Sequence, residues 1–519
     1  VNGVKMTPAG VMDMPKQRAS AAVTTLAGGG AALLLASAAG NAVSYAFGLF
    51  VARSLGAEQF GLYALGLTLF NVLALFAPLA LDVGVIKFVS GQLTAGETGR
   101  ARRTIVSAGV FAAASGLLAG IGLALFSPWL SSSLYHKPAL SGVLWWFAAA
   151  LPFAALTTVL LGGLQALQTV RYTVGIRYIW EPAGKFVLVA LAVALGFGLS
   201  GVLGGIVIVL AVSALIALSC VMRLIPSKGS RPGEEAGDAV AFRALLAFSG
   251  PLVVSNLFGV LAPRSDMLIL GYWVDAQQVG IYNAAFQTSA IIALVLGALD
   301  TAVAPIAGSL ISREDHGSLK NLYHVTSRWA LTLTAPVFVL MVVWGRDILA
   351  LFGPAFTLGA TCLLLLAAAQ WVNAAAGATS SVILMSGRSR MIMMNSLGVG
   401  VLLIGANLAL IPRYGILGAA IASSLSQIVV SLVRVAQVWH LQRIRPFSPG
   451  MMKPVAAAVV ATAAGWIMKG EISGGPIAQL LLALCVLGIF GGTLVVFGFD
   501  PDDAATASGL WKKLAMRRS

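Results

Sequence analysis

From residue 30 almost to residue 498 the chain repeats one pattern, a long run of apolar residues closed by a short polar break. A stretch of roughly 20 apolar residues spans a ~30 Å hydrocarbon core as an α-helix. The runs lie at about 30–52, 60–88, 104–126, 139–165, 174–198, 200–222, 244–273, 279–310, 327–345, 357–386, 391–412, 415–437, 452–468 and 476–498. They predict an all-α polytopic membrane protein of about 14 transmembrane helices.

Composition supports this reading. The chain is 59% hydrophobic and 10% charged, whereas soluble domains carry about a quarter charged residues. Its three cysteines, Cys220, Cys362 and Cys485, lack C-x-x-C spacing and predict neither disulfides nor a metal site. Residues 1–29 are polar and small, and no cleaved signal peptide is expected.

The net charge of +15 would suit nucleic acid if it were clustered on one surface. Placing the N-terminus in the cytoplasm instead puts 26 of the 33 Lys and Arg on cytoplasmic segments, five outside and two within spans. By the positive-inside rule both termini are cytoplasmic, in a multi-pass protein of the cytoplasmic (inner) membrane. The charge then serves orientation and contact with anionic membrane lipids, and no nucleic-acid partner is expected.

The polar segment 226–243, rich in Pro, Gly and mixed charge, reads as a linker between six spans and eight. Similar text stands on either side of it. Leu55 to Tyr63 (LGAEQFGLY) resembles Leu270 to Tyr282 (LGYWVDAQQVGIY), and Ala80-Leu81-Asp82 matches Ala298-Leu299-Asp300. Copies separated by an even number of spans share orientation, the parallel repeat of two-lobed transporters. The expected organisation is a cytoplasmic segment 1–29, an N-terminal lobe 30–225, the linker, a C-terminal lobe 244–437, spans 13 and 14 within 438–498, and a basic tail 499–519.

Three stretches carry a family resemblance: ARSLGAEQFGLYAL (Ala52 to Leu65), SDMLILGYWVDAQQVGIYNAA (Ser265 to Ala285) and NLALIPRYGILGAAIASSLSQ (Asn407 to Gln427). In order and spacing the chain resembles the polysaccharide-export and O-antigen flippases of the multidrug/oligosaccharidyl-lipid/polysaccharide superfamily. The resemblance implies movement of a polyprenyl-diphosphate-linked oligosaccharide to the outer leaflet by alternating access. It implies as partners the lipid-linked saccharide, together with glycan polymerase and glycosyltransferases. The motifs themselves read as scaffold, since glycines permit close helix approach and aromatic rings sit at membrane interfaces.

Chemistry is expected where ionisable groups sit in hydrocarbon, because their cost of several kcal/mol persists only beside a cavity or a partner. Arg264 is the leading candidate for a diphosphate, which guanidinium binds through paired charge-assisted hydrogen bonds. Its alternative is a salt bridge that stabilises a lobe, with Pro263 opening the helix beside it. Lys185 is a second candidate, four residues after Glu181 and so able to pair with it. Lys87 and Arg53 lie near span ends, as snorkelling anchors or further substrate contacts.

Asp82, Glu181, Asp266 and Asp300 are candidates for coupling to an H+ or Na+ gradient. Helix-to-helix hydrogen bonds would explain Asp82 and Asp300 nearly as well. Asn41, Asn71, Asn256, Gln165, Gln287, Gln370 and Asn373 either meet sugar hydroxyls or bond neighbouring helices. The four histidines, at 136, 316, 324 and 440, have no metal-binding spacing. No nucleophile–base set or nucleotide-binding loop appears, so neither a cofactor nor ATP use is expected.

Two other functions compete with the flippase. A cation-coupled multidrug exporter would need acidic and aromatic groups, whereas Lys185 and Arg264 place cations within spans. A membrane glycan polymerase or ligase would need a substantial outer loop, whereas Ser127 to Pro138 and Lys469 to Pro476 are short.

Overall fold

The computed structural model describes residues 16–167, 171–225, 244–249, 264–444, 449–471 and 475–498. The linker 226–243, the tail 499–519, Asn256 and Pro263 lie outside the described residues. Those described are helical with short connections, and no strand occurs among them. Helix is what hydrocarbon demands, because each backbone N–H and C=O must be satisfied within its own segment.

The first half contains α1 (Lys16–Phe76), α2 (Leu81–Thr94), α3 (Thr98–Trp129), α4 (Leu140–Gln165), α5 (Glu181–Ala194) and α6 (Gly198–Leu224). A π-helical segment, Val174–Trp180, leads into α5. After a helical stretch at 264–273 come α7 (Ala276–Ser312), α8 (His316–Ala350), α9 (Ala360–Ala376), α10 (Thr379–Met385) and α11 (Ser389–Gln442). The helices α12 (Met452–Glu471) and α13 (Pro476–Val496) complete the chain.

Ten helical stretches among the described residues are long and apolar enough to cross a membrane. Two of them, Ser37–Thr94 with 58 residues and Ser389–Gln442 with 54, are long enough to cross twice. They turn back at Gly56 (φ 77°, ψ 172°) and Gly415 (φ 55°, ψ −131°), conformations that a Cβ all but forbids. With segment 171–194 and the stretches at 244–249 and 264–273, the architecture is consistent with fourteen spans.

Two predicted spans are broken. The run expected at 60–88 stops at Phe76 and restarts at Leu81. Pro78 lacks the N–H that would continue the helix, and Leu79 and Ala80 turn through positive φ (53° and 54°). The run at 357–386 is likewise divided, at Gly377 (φ 64°).

Within the first half, α3 packs on α4, α4 on α6, and α2 on both α3 and α4. Small residues set these approaches. A Cβ on Gly120 would lie 2.5 Å from the Ala148 carbonyl oxygen, and one on Gly116 would lie 2.9 Å from that of Leu151. In the second half α9 packs on α7, α8 and α11. The hairpin α12–α13 lies against α8, where Ala457, Ala458, Ala461 and Val486 meet Val339 and Val343.

The halves meet where α1 crosses α7. A Cβ on Gly61 would strike the Ala276 carbonyl oxygen, and a Cβ on Gly280 would strike that of Ala57. Each pair is a small-xxx-small step, Ala57/Gly61 against Ala276/Gly280, so the repeated text of the sequence packs against its own copy. Around this crossing Lys137 Nζ donates to the Gly271 carbonyl (2.5 Å) and Arg53 Nη1 to that of Leu351 (3.1 Å). The rings of Phe60 and Phe356 lie 5.9 Å apart, as do those of Tyr45 and Phe352. The two halves are therefore sealed at the Gly56 end.

Candidate functional site

From this seal a cavity of about 810 Å³ runs between the halves toward the opposite, basic end. Its wall on α1 runs from Asn41 to Gly48 before the Gly56 kink and from Tyr63 to Leu75 after it, the second stretch a rise of about 18 Å in a helix. Its charged residues come from three places. Asp82 sits in the first turn of α2, where the helix N-terminus favours an anion. Arg177, Glu181 and Lys185 come from the π segment and α5, and Arg264 from the 264–273 stretch.

Four of the eight sequence candidates are thus brought together: Arg264, Lys185, Asp82 and Glu181. Lys185 Nζ lies 3.6 Å from Glu181 Oε2, the intrahelical pair that the four-residue spacing allows. Arg264, half-buried, lines the same cavity and makes no ion pair or hydrogen bond with another described residue.

The other four lie elsewhere. Asp266 is 2% exposed and turned into the helix bundle, where it accepts from Tyr282 Oη (2.7 Å) and from the Met267 N–H (2.7 Å). Asp300 accepts from Ser381 Oγ on α10 at 2.9 Å. Although Asp82 and Asp300 share a sequence motif, only Asp82 follows a helix break, and only Asp82 reaches the cavity. Lys87 Nζ stands 4.0 Å above the Phe248 ring, close to where Gly84 admits Leu245 and Ser249 against α2. Arg53 belongs to the seal, as does Lys137, whose ammonium burial holds below the usual lysine range while nearby Asp275 acts in the opposite sense.

Sequence reasoning missed Arg177, which it counted among cytoplasmic charges because it stands three residues into its span. The available signal was spacing: Arg177, Glu181 and Lys185 recur every four residues and so fall near one face. The π turn that presents Arg177 is not visible in the sequence.

The intramembrane amides also divide. Asn373 accepts from Ser431 (3.0 Å) and Gln165 donates to Thr173 (3.3 Å), so both serve neighbouring elements. Asn41, Asn71 and Gln287 line the cavity, joined by Asn283, which the sequence reading did not single out.

With this geometry in place, comparisons with known proteins are informative. The family described as "Polysaccharide biosynthesis protein" matches residues 26–310, and the family MatE matches residues 251–411. The chain is similar to the probable flippase AglR of Haloferax volcanii, 27% identical over 238 residues, which are 44% of this chain. That match spans about half of AglR, 49% of its length. It is also similar to the probable low-salt glycan biosynthesis flippase Agl15 of the same organism, 25% identical over 390 residues, or 73% of this chain and 76% of that one.

Two solved structures share the fold. An inward-facing multidrug resistance MATE family transporter of the MOP superfamily superposes with TM-score 0.62 at 15% identity, over 80% of this chain and 98% of that one. The lipid II flippase MurJ in an inward closed conformation superposes with TM-score 0.61 at 13% identity, over 86% and 98%. The polysaccharide biosynthesis match takes in more than half of the 519 residues, and the chain belongs to that family of polytopic membrane proteins.

Proposed function

We propose that this chain is a flippase that carries a polyprenyl-diphosphate-linked oligosaccharide across the cytoplasmic membrane, from the cytoplasmic to the outer leaflet. The observation that carries the reading is the convergence of Arg177, Lys185 and Arg264 on one cavity between the halves. Cations at this depth are costly unless an anion or water meets them, and guanidinium matches phosphate oxygens in paired hydrogen bonds. The names of AglR and Agl15 point the same way. The saccharide and diphosphate occupy the cavity while the prenyl tail stays in lipid.

The arrangement of contacts supports alternating access. The halves rock so that the cavity reached from the basic, cytoplasmic end closes there as the seal at the Gly56 end opens. An H+ or Na+ gradient resets the halves, with Asp82 and Glu181 exchanging the ion in the cavity and Asp266 and Asp300 responding within the second half. Glycosyltransferases supply the substrate, and a glycan polymerase consumes the product. An organic cation in the same cavity would meet three side chains of its own sign, which favours the flippase over a multidrug exporter.

The test is movement of labelled polyprenyl-diphosphate oligosaccharide in proteoliposomes. Arg264→Ala combined with Lys185→Ala is expected to lower the rate at least tenfold, the loss of roughly 1.4 kcal/mol or more of anion binding. Unchanged movement would overturn the site.

A further inference from the structure

The cavity has two chemically different walls. Its five charged residues come from α2, the π segment with α5, and the 264–273 stretch. The wall built by α1 and α7 holds no charged side chain and instead carries four primary amides, Asn41, Asn71, Asn283 and Gln287.

Several amides elsewhere in the protein are bonded within it. Asn395 and Gln437 bond each other reciprocally at 2.7 and 2.8 Å, Gln442 donates to Ser386 Oγ at 2.9 Å, and Gln479 accepts from Trp344 Nε1 at 2.8 Å. None of the four cavity amides makes a hydrogen bond with another described residue. Asn283, only 8% exposed, is among the residues that line the cavity. Gln287 lies across Gly48, where a Cβ would come within 2.6 Å of its Oε1. Asn41, Asn71 and Gln287 are half-buried, and all four amides line one space in which a ligand can supply hydrogen-bond partners.

We infer that Asn41, Asn71, Asn283 and Gln287 form a saccharide-reading wall, selective for uncharged sugars next to the diphosphate. Each primary amide offers two donors and an acceptor with two lone pairs, complementary to hydroxyl groups that also donate and accept. A carboxylated sugar would bring a negative charge to a wall without a cation, in a cavity whose three cations, Arg177, Lys185 and Arg264, stand on the other walls with the diphosphate and are partly offset by Asp82 and Glu181. At about 810 Å³ the space matches pockets that take ligands of drug size, so the part recognised is the first few sugars rather than a long polymer. This inference rests on the reading of the cavity as a diphosphate–saccharide site.

Three probes separate the two claims: farnesyl diphosphate, farnesyl diphosphate carrying a neutral N-acetylglucosamine disaccharide, and the same probe with glucuronic acid as one sugar. Their dissociation constants would be measured calorimetrically with the full chain in lipid nanodiscs. Wild type is expected to bind the neutral disaccharide probe about tenfold more tightly than farnesyl diphosphate, and to show no such gain with the glucuronate probe. Asn283→Leu with Gln287→Leu is expected to abolish the gain while binding farnesyl diphosphate within about twofold of wild type, which also reports that the variant is folded. Asn373→Ala, at an amide bonded to Ser431, is expected to keep the gain. A gain that survives in the double variant, or tighter binding of the glucuronate probe than of the neutral one, overturns the inference and leaves the diphosphate site standing. Failure of wild type to bind farnesyl diphosphate overturns both.

Discussion

Arg177, Glu181 and Lys185 form a ladder that begins near the basic end of the span and leads inward along one wall of the cavity. Glu181 lies close to Lys185, whereas Arg177 has no hydrogen bond or ion pair to a described residue. Arg177→Gln is therefore expected to weaken farnesyl diphosphate binding about tenfold by calorimetry, since a hydrogen bond to a charged group is worth roughly 1.5–3 kcal/mol. A change below twofold would remove Arg177 from the site. At Gly48 the constraint is space: Gly48→Ala is expected to displace Gln287 and reduce the disaccharide gain without changing farnesyl diphosphate affinity. The charged candidates were legible as residues because a charge in an apolar run stands out. Their fates were not, since Asp82 and Asp300 carry the same flanking text and differ only in the helix break before one of them.

At the scale of the element, the periodic apolar runs were sufficient to locate most spans, and glycine decided how they join. Gly56 occupies a region of φ and ψ that is essentially glycine's alone. Gly56→Ala is expected to destabilise the protein by roughly 1–3 kcal/mol, seen as a lower midpoint of thermal unfolding in detergent. An unchanged midpoint would mean that the turn does not need glycine. The hairpin α12–α13 acts on a second irregular point, Trp344 in α8 (φ −110°, ψ 21°). There Lys469 donates to the Val343 carbonyl (3.0 Å) and pairs with Asp347, while Gln479 accepts from the indole N–H. The ion pair is partly exposed and contributes under ~1 kcal/mol. Lys469→Met should thus lower the unfolding midpoint modestly, and Gln479→Leu, which strands a buried indole N–H, by more. Equal, negligible effects would show that the hairpin does not hold the kink.

Across the whole molecule, the seal at the Gly56 end joins the halves through backbone carbonyls, aromatic rings and the Gly61–Gly280 crossing. Gly61→Leu would force the two helices apart. Because overpacking typically costs ~1–3 kcal/mol, the variant is expected to lose folded yield in size-exclusion chromatography. If the halves rock, a tether across the seal must stop transport. In a background lacking Cys220, Cys362 and Cys485, a reducible thiol cross-linker joining Arg53→Cys to Leu351→Cys is expected to block lipid-linked saccharide movement, and reduction to restore it. Full movement in the cross-linked protein would exclude opening at that end.

The sequence by itself determined that the chain is a membrane-embedded helical array of about fourteen spans, because hydrocarbon thickness and backbone hydrogen bonding leave helices of about twenty apolar residues as the solution. It also determined where duplicated text lies and which buried charges need explaining. Only the tertiary structure decided that this text is the contact between the halves, since two glycine-bearing helices announce no partner until they cross. The same holds for the cavity. Residues from α1, α2, α5, α7 and the 264–273 stretch become one site by folding alone, and which amides find partners among neighbouring helices depends on packing that no local pattern encodes.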